Sequence, residues 1–273
     1  MTNTGIYTIK KLDDPNNENV LRVLADINRA SEMLNWVQHD KIKNDTGLLI
    51  AIGGDGTMMH GLKLSAAHQI PVIGFNLGKL GFLAEYSPHS VLETLALAIK
   101  NALVLERRTL LECTIENTTY TAVNEIVFSP LYADKMLRYQ FEVNNIFSGK
   151  HLANGVMVST PTGSTAYALS SGGTILQPEV PAFEIIPIAA VSLNARGVVV
   201  ANTSDIKVSL YTGQDVEYMV SADGQRVFQY KSKNKEVLEF KLKKAPNEAL
   251  VLHHPDWNFF TTLSEKLKWN TTI

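Results

Sequence analysis

The sequence predicts an α/β region joined to an all-β region. The α/β domain, with a mostly parallel sheet, spans residues 1–104, an antiparallel sandwich-like domain spans residues 105–250, and a C-terminal helix over residues 251–273 returns to the N-terminal domain. Three observations predict it. Apolar strand-like runs alternate with helix-spaced segments up to about residue 103, which implies a parallel sheet with helices on its faces. After about Arg107, short alternating runs take over, divided by Asn, Asp, Gly and Lys turns, the texture of an antiparallel sandwich or open barrel. Helical spacing returns at residues 257–269 through Phe260, Leu263 and Leu267.

The first element is a short strand at residues 6–9, followed by helical spacing over residues 19–37 through Val20, Val23, Leu24, Ile27, Leu34 and Val37. The run Leu48-Leu49-Ile50-Ala51-Ile52 then reads as a buried strand that stops at Gly53-Gly54-Asp55-Gly56-Thr57. Over residues 57–69, Met58, Met59, Leu62, Leu64 and Ala66 suit a helix. Strand, glycine loop and helix together make a phosphate cradle: glycines let backbone N–H groups approach the anion, and the helix N-terminus adds partial positive charge. Gly53, Gly54, Gly56 and Thr57 are therefore a candidate phosphate loop. Asp55 is the exception, because a carboxylate repels phosphate and calls for a proton-bearing or metal-bearing partner. The same pentapeptide also suits a plain turn with Asp55 or Thr57 as helix N-cap. A second buried strand at residues 70–75 and a helix at residues 87–103, opening at Ser87-Pro88, complete this half. Ligands of such sheets lie beyond the carboxyl ends of the strands, so Asp55 and residues 76–82 are expected to share one crevice.

In the β-rich half, strands are expected at residues 110–116, 120–128, 138–143, 206–211, 217–221 and 237–242, with turns at Asn117-Thr118, Asn144-Asn145 and Asp223-Gly224. One segment does not read as sheet: Ser159-Thr160-Pro161-Thr162-Gly163-Ser164-Thr165-Ala166-Tyr167-Ala168-Leu169-Ser170. It reads as a tight loop leading into a short helix at residues 166–171, and its hydroxyls suit ribose, amide and adenine edges. A Ser/Thr-rich surface turn with Thr165 as N-cap has the same composition. Asn124-Glu125 interrupts the strand over residues 121–128, and Asn154-Gly155 precedes an apolar strand at residues 156–158; each pair also suits a bulge or turn.

Composition sets the bounds. The 273 residues, 45% hydrophobic and 19% charged, are enough for two ordinary globular domains. The net charge of −2, from 25 basic and 27 acidic residues, does not point to nucleic acid or an anionic membrane surface. Residues 1–11 lack the apolar core of a signal peptide. The single Cys113 forms no internal disulfide or zinc cage, reads as a packed small residue, and fits a reducing, cytoplasmic setting.

In this order, Gly53-Gly54-Asp55-Gly56-Thr57, Gly78-Lys79-Leu80-Gly81-Phe82-Leu83, Asn124-Glu125, the Ser159-to-Tyr167 loop, His254-Pro255 and Lys266-Leu267-Lys268-Trp269 resemble the ATP-dependent NAD kinase family over nearly the whole chain. The resemblance implies transfer of the γ-phosphoryl of ATP to the 2′-hydroxyl of the adenosine ribose of NAD, giving NADP. Asp55 would be the general base, since a ribose hydroxyl is a poor nucleophile while protonated. It also implies Mg2+, a divalent metal carried with ATP rather than ligated directly by protein side chains, and a homodimer or homotetramer. NAD contacts are implied for Asp55, Gly56, Phe82 near the adenine, Asn124 and Glu125 at ribose and adenine, and Thr162, Thr165, Ala166, Tyr167, Ala168, Leu169 and Ser170 in the dinucleotide pocket. Asn154 and Ala189 are implied at the nicotinamide end, the latter from a neighbouring subunit in some members, with Lys135 and Gln225 also touching substrate.

Two departures stand out. Where the family commonly carries Arg-x-Asp-Gly, this chain has Leu152-Ala153-Asn154-Gly155, and Ile188-Ala189-Ala190-Val191 lacks a Pro-His pair. An Asn oxygen still accepts from an amide, at a cost on the order of 1 kcal/mol relative to a carboxylate. Two other readings share part of the pattern. A lipid kinase of the diacylglycerol or sphingosine type shares the glycine loop but requires a greasy acceptor site. A catalytically inactive NAD(P)-binding sensor would bind dinucleotide without consuming ATP.

Overall fold

The computed structural model describes residues 5–10, 17–34, 36–78, 81–132 and 134–268. Lys79 and Leu80 of the second glycine loop, and Trp269 of the closing segment, lie outside the described residues. The chain forms two compact units: Met1–Arg108 with Glu248–Ile273, and Thr109–Asn247.

The first unit begins β1 (Gly5–Lys10), α1 (Glu18–Leu34), β2 (Val37–His39), β3 (Thr46–Gly53), α2 (Asp55–His68), β4 (Val72–Asn76), α3 (Val91–Ile99) and β5 (Val104–Arg108). Helix α1 buries Val20, Val23, Ile27 and Ala30 on one face, and the Asn17 side chain accepts from the Asn19 and Val20 amides at its start. It stops three residues before the predicted end, because Val37 pairs with Gly5 in a parallel ladder instead. Helix α3 is also shorter than predicted. Ser87 to Ser90 is a turn closed by Ser90 N–H to the Ser87 carbonyl, and Asn101, at φ 51°, ends the far side.

The second unit comprises β6 (Leu111–Ile115), β7 (Thr118–Ala122), β8 (Glu125–Pro130), β9 (Leu137–Val143), β10 (Ile146–Ala153), β11 (Gly155–Ser159), a 3₁₀ turn at Thr162–Thr165, α4 (Tyr167–Ser170), β12 (Ala182–Ile188), β13 (Val198–Ala201), β14 (Ile206–Tyr211), β15 (Glu217–Ala222), β16 (Gln225–Lys231) and β17 (Val237–Lys244). The chain then re-enters the first unit as β18 (Ala249–His253) and α5 (Phe259–Leu267), a helix capped by Asn258.

Among the described residues the first unit holds one six-stranded sheet, β2-β1-β3-β4-β18-β5, parallel except for β5 against β18. The sequence placed residues 105–108 and 249–250 in the β-rich half. The antiparallel ladder from Ala249–Arg108 to His253–Val104 puts both strands in the first unit instead. Ile27, Ile50, Ile73, Phe75 and Leu95 are among its core.

The second unit has two antiparallel sheets, β10-β9-β14-β17-β6-β7 and β13-β12-β11-β8-β15-β16. Alternate residues of both, among them Cys113, Phe128, Tyr139, Phe183, Val220 and Phe240, fill one core, as a sandwich requires. Burial pushes the Cys113 thiol up to about 12, so it is a packing residue rather than a nucleophile. Asn144 and Asn145 (φ 52° and 64°) and Asp223 and Gly224 (φ 52° and 74°) make hairpin turns where predicted. The predicted strand over residues 120–128 is in fact two strands in different sheets: β7 pairs with β6, and β8 pairs with β11 and β15.

Candidate active site

The first unit supplies the carboxylate. Strands β3 and β4 run side by side, with Gly53 opposite Asn76, so the loops that follow them meet as expected. At Gly53 a Cβ would lie 2.2 Å from Thr57 Oγ1, so only glycine lets the chain fold back so tightly. At Gly54 and Gly56 an added Cβ would meet nothing within 4 Å, so the surface over the backbone is open. Gly54 is the N-cap of α2 and no side chain caps the helix. The capping role weighed for Asp55 or Thr57 is therefore not the one they take; Thr57 and Met58 N–H turn back to the Gly54 carbonyl at 3.0 and 3.1 Å, so it is the Asp55 and Gly56 N–H groups at the open start of α2 that an anion would meet.

Asp55 turns to the second loop. Its Oδ2 accepts from Phe82 N–H at 3.0 Å, and its Oδ1 accepts from Leu83 N–H at 3.1 Å and Ala84 N–H at 3.4 Å. A carboxylate offers about four acceptor positions, so one on Oδ2 is left. Gly81 lies against the same group, and a Cβ there would sit 1.8 Å from Asp55 Oδ1. The loop is fixed in turn by Asn76 N–H to the Tyr86 carbonyl and Tyr86 N–H to the Gly74 carbonyl. Phe82 is half-buried, with Lys266 Nζ 6.0 Å from its ring centre.

The second unit carries an amide-and-carboxylate pair, Asn124 half-buried and Glu125 buried. Where the chain leaves β7 for β8, the Asp223 carboxylate accepts from Val123 N–H at 3.0 Å and Asn124 N–H at 2.7 Å. From the other side, the Asn124 carbonyl accepts from Thr160 N–H at 2.8 Å, and Thr160 Oγ1 donates to the Val123 carbonyl at 2.6 Å. A Cβ at Gly163 would lie 2.2 Å from the Asn124 carbonyl oxygen, so this approach requires glycine. Asn124 is therefore the joint between two sheets, locked by residues distant in sequence.

Glu125, the first residue of β8, stands beside Ser159 of β11 and is only 5% exposed. Burial, reinforced by Asp223, pushes its carboxyl up to about 7 from 4.5. The folded protein thus holds a proton that the unfolded chain releases, and this contribution to stability is lost as pH rises from about 4.5 towards 7. In Glu125→Gln that part of the pH dependence is expected to disappear. Urea melts of both proteins at pH 5 and pH 8 check it, and parallel slopes would show that Glu125 is ionised in the fold.

Most hydroxyls of the loop are structural. Ser164 donates to the Pro161 carbonyl and accepts from Leu176 N–H, Thr165 donates to the Thr162 carbonyl, and Ser159 and Thr160 hold the Asn124 joint. Thr162 is buried, Thr165, Ala166 and Leu169 are half-buried, and Tyr167 and Ser170 are exposed. Ala168 differs from its expected role: its side chain is fully buried with Val127, Met157 and Ile186, so only its backbone could meet a ligand. Thr165 does not cap the short helix, whose N-cap is Ala166.

Asn154 and Ala189 come together, because Gly155 pairs with Ile188 and Asn154 N–H donates to the Ile188 carbonyl. Both are exposed, and Ala189 has φ 47°. Gln225 opens β16 beside the Asp223 turn. Lys135 is not brought to the hydroxyl loop. It follows the far end of β8 from Glu125, pairs with Asp134 at 3.2 Å, and lines a separate cavity of about 550 Å³ with Arg138, Tyr211 and Lys235. Sequence reasoning missed Asp223, which read only as a turn residue; with Arg226 three positions on, nothing in the sequence signals that its carboxylate binds the Val123 and Asn124 backbone.

The first unit carries an uncapped glycine loop with a fixed carboxylate and the second a hydroxyl-rich loop, each a feature expected of a nucleotide-binding phosphotransferase. The profile described as the ATP-NAD kinase N-terminal domain matches residues 18–102, and that of the ATP-NAD kinase C-terminal domain matches residues 123–250. The chain belongs to the ATP-NAD kinase family and is a kinase. It is 36% identical over 229 residues to the NAD kinase of Acinetobacter baylyi, covering 82% of this chain and 73% of that one. Its fold is similar to yeast NADH kinase complexed with NADH, with a TM-score of 0.85 at 22% identity over 100% of this chain and 89% of the other. It is also similar to an Archaeoglobus fulgidus NAD kinase in complex with ATP, with a TM-score of 0.76 at 24% identity, covering 97% and 99% of the two chains. The family match sets the lipid-kinase alternative aside. No helix among the described residues is long and apolar enough to cross a membrane.

Proposed function

We propose that this chain phosphorylates NAD at the 2′-hydroxyl of its adenosine ribose, with Asp55 as general base. Membership of the ATP-NAD kinase family supports the reaction. The observation that supports the role of Asp55 is its carboxylate, pinned by three backbone N–H groups with one acceptor position left, at an uncapped helix start. As O2′ bonds to the γ-phosphorus, the bond from that phosphorus to the β–γ bridging oxygen breaks, ADP leaves, and the hydroxyl proton passes to Asp55. Positioning and charge neutralisation carry most of such a transfer. A divalent metal such as Mg2+, carried on the phosphates of ATP, would neutralise the charge developing there, while the open backbone at Gly54 and Gly56 and the α2 N-terminus would receive the phosphates.

Asn124 and Glu125 hold ribose and adenine in this reading, with Thr162, Thr165, Tyr167, Leu169, Ser170 and the backbone of Ala166 and Ala168 around the dinucleotide, and Phe82 beside the adenine. Asn154 and Ala189 take the nicotinamide end. Gln225 adds a contact from the Asp223 turn, and Lys135 would do so only from a neighbouring subunit. The direct test is incubation with MgATP and NAD or NADH in parallel, with chromatographic detection of NADP and NADPH and polyphosphate as an alternative donor. No phosphorylated dinucleotide from folded protein would overturn the reading. The reaction belongs in the cytoplasm, where a reduced Cys113 also fits.

The enzyme works as a homo-oligomer in this reading. Strands β10 and β13 are each one edge of the two sheets, and a groove of about 1110 Å³ lined by Ile146, Phe147, Val191 and Val198 lies in the second unit. Leu193 beside it is 89% exposed. Such apolar edges invite a second copy. Light scattering is expected to give a dimer or tetramer for the wild type and a smaller species for Phe147→Asp.

A further inference from the structure

A buried charged cluster in the first unit lies outside every residue assigned above. His253, the last residue of β18, is 3% exposed and stacks on Trp257 with ring centres 3.8 Å apart. Its Nδ1 meets Glu85 Oε2 at 2.5 Å, and its Nε2 stands 3.6 Å from Glu106 Oε2. Arg108 Nε donates to the other oxygen of Glu106, and His254 N–H donates to Glu85 Oε1 at 3.1 Å. Glu85 is thus gripped on both oxygens. It directly follows Ala84, the last of the three residues whose N–H groups hold Asp55.

We propose that His253 is a positioning residue for Asp55, holding Glu85 so that residues 82–84 present their N–H groups to the Asp55 carboxylate. The chain of contacts is continuous: His253 to Glu85, Glu85 to the adjoining backbone, backbone to Asp55. The kinetic part of the proposal rests on Asp55 acting as the base; the contact chain does not.

Protonation enters through the ring's surroundings. Glu85 and Tyr86 face the cluster from the loop, Glu106 and Arg108 from β5, and His254, Asp256 and Trp257 from the segment after β18. Burial disfavours the imidazolium, but the Glu106 and Glu85 carboxylates outweigh it and raise His253 above 6.5. The grip is complete below 6.5 and weakens as pH rises through the raised value.

Two substitutions separate the contacts. His253→Asn places an amide N–H near the Nδ1 position and keeps a neutral bond to Glu85, whereas His253→Gln reaches instead towards Glu106. In His253→Gln, kcat is expected to fall on the order of tenfold with KM for ATP little changed. The Phe82, Leu83 and Ala84 amides should exchange with deuterium about tenfold faster, as local opening becomes easier. His253→Asn should lose only a few-fold, and the ratio of wild-type to His253→Asn kcat should shrink as pH rises above 6.5. Unaltered amide protection and pH ratio would overturn the proposal, as would equal losses in both variants. If the wild type makes no NADP, the function reading fails while amide exchange still decides the contact chain.

Discussion

Asp55→Asn should lower NADP formation by about 10²- to 10⁴-fold, the range general-base removal produces, while NAD binding measured by calorimetry stays within a few-fold. The amide cannot take the ribose proton at neutral pH. It also sets an NH₂ group against one of the N–H donors of residues 82–84 that the carboxylate now satisfies. Losing one such bond costs about 1–3 kcal/mol, so the variant should melt slightly earlier than the wild type. Full turnover in Asp55→Asn would remove Asp55 from the base role.

Gly81→Ala is expected to be nearly as damaging without touching any acid or base. Its methyl would stand 1.8 Å from Asp55 Oδ1, so either the carboxylate swings away or the loop lifts. A displacement of about 1 Å at a reacting group can cost on the order of 10²-fold in rate, and kcat should fall accordingly with the fold intact by circular dichroism. Gly78→Ala is the natural comparison, since its methyl would meet nothing within 4 Å. Equal losses in the two variants would mean that glycine flexibility, not the Asp55 contact, sets the rate.

The parts of the molecule legible in the sequence are those whose cause is local. The β3–loop–α2 unit is announced by an apolar run ending in glycines, and Asp223-Gly224 by its turn chemistry. The crevice shared by Asp55 and the second glycine loop followed from adjacent parallel strands. What stayed hidden has distant causes. The break between β7 and β8 reads as one strand until Asp223, 99 positions on, binds the Asn124 amide. The sequence places residues 105–108 of β5 in the β-rich half, because nothing in it tells that Glu106 is buried between Arg108 and His253 in the first unit. The hydroxyl-rich loop was recognised by composition, but which hydroxyls are spent on backbone carbonyls depends on packing that composition does not encode.

Strand β18 lies between β4 and β5 in the first sheet, yet the whole second unit is synthesised before it. A nascent chain that has reached Arg108 therefore holds β5 without the strand it pairs with, and β4 with an open edge. Closing the sheet requires a contact spanning more than a hundred residues, the kind of long-range pairing that makes folding slow and leaves intermediates prone to association. Fragments cut near Arg108 should accordingly aggregate rather than fold. A ribosome-stalled chain should resist protease in its first unit only once His253 has emerged.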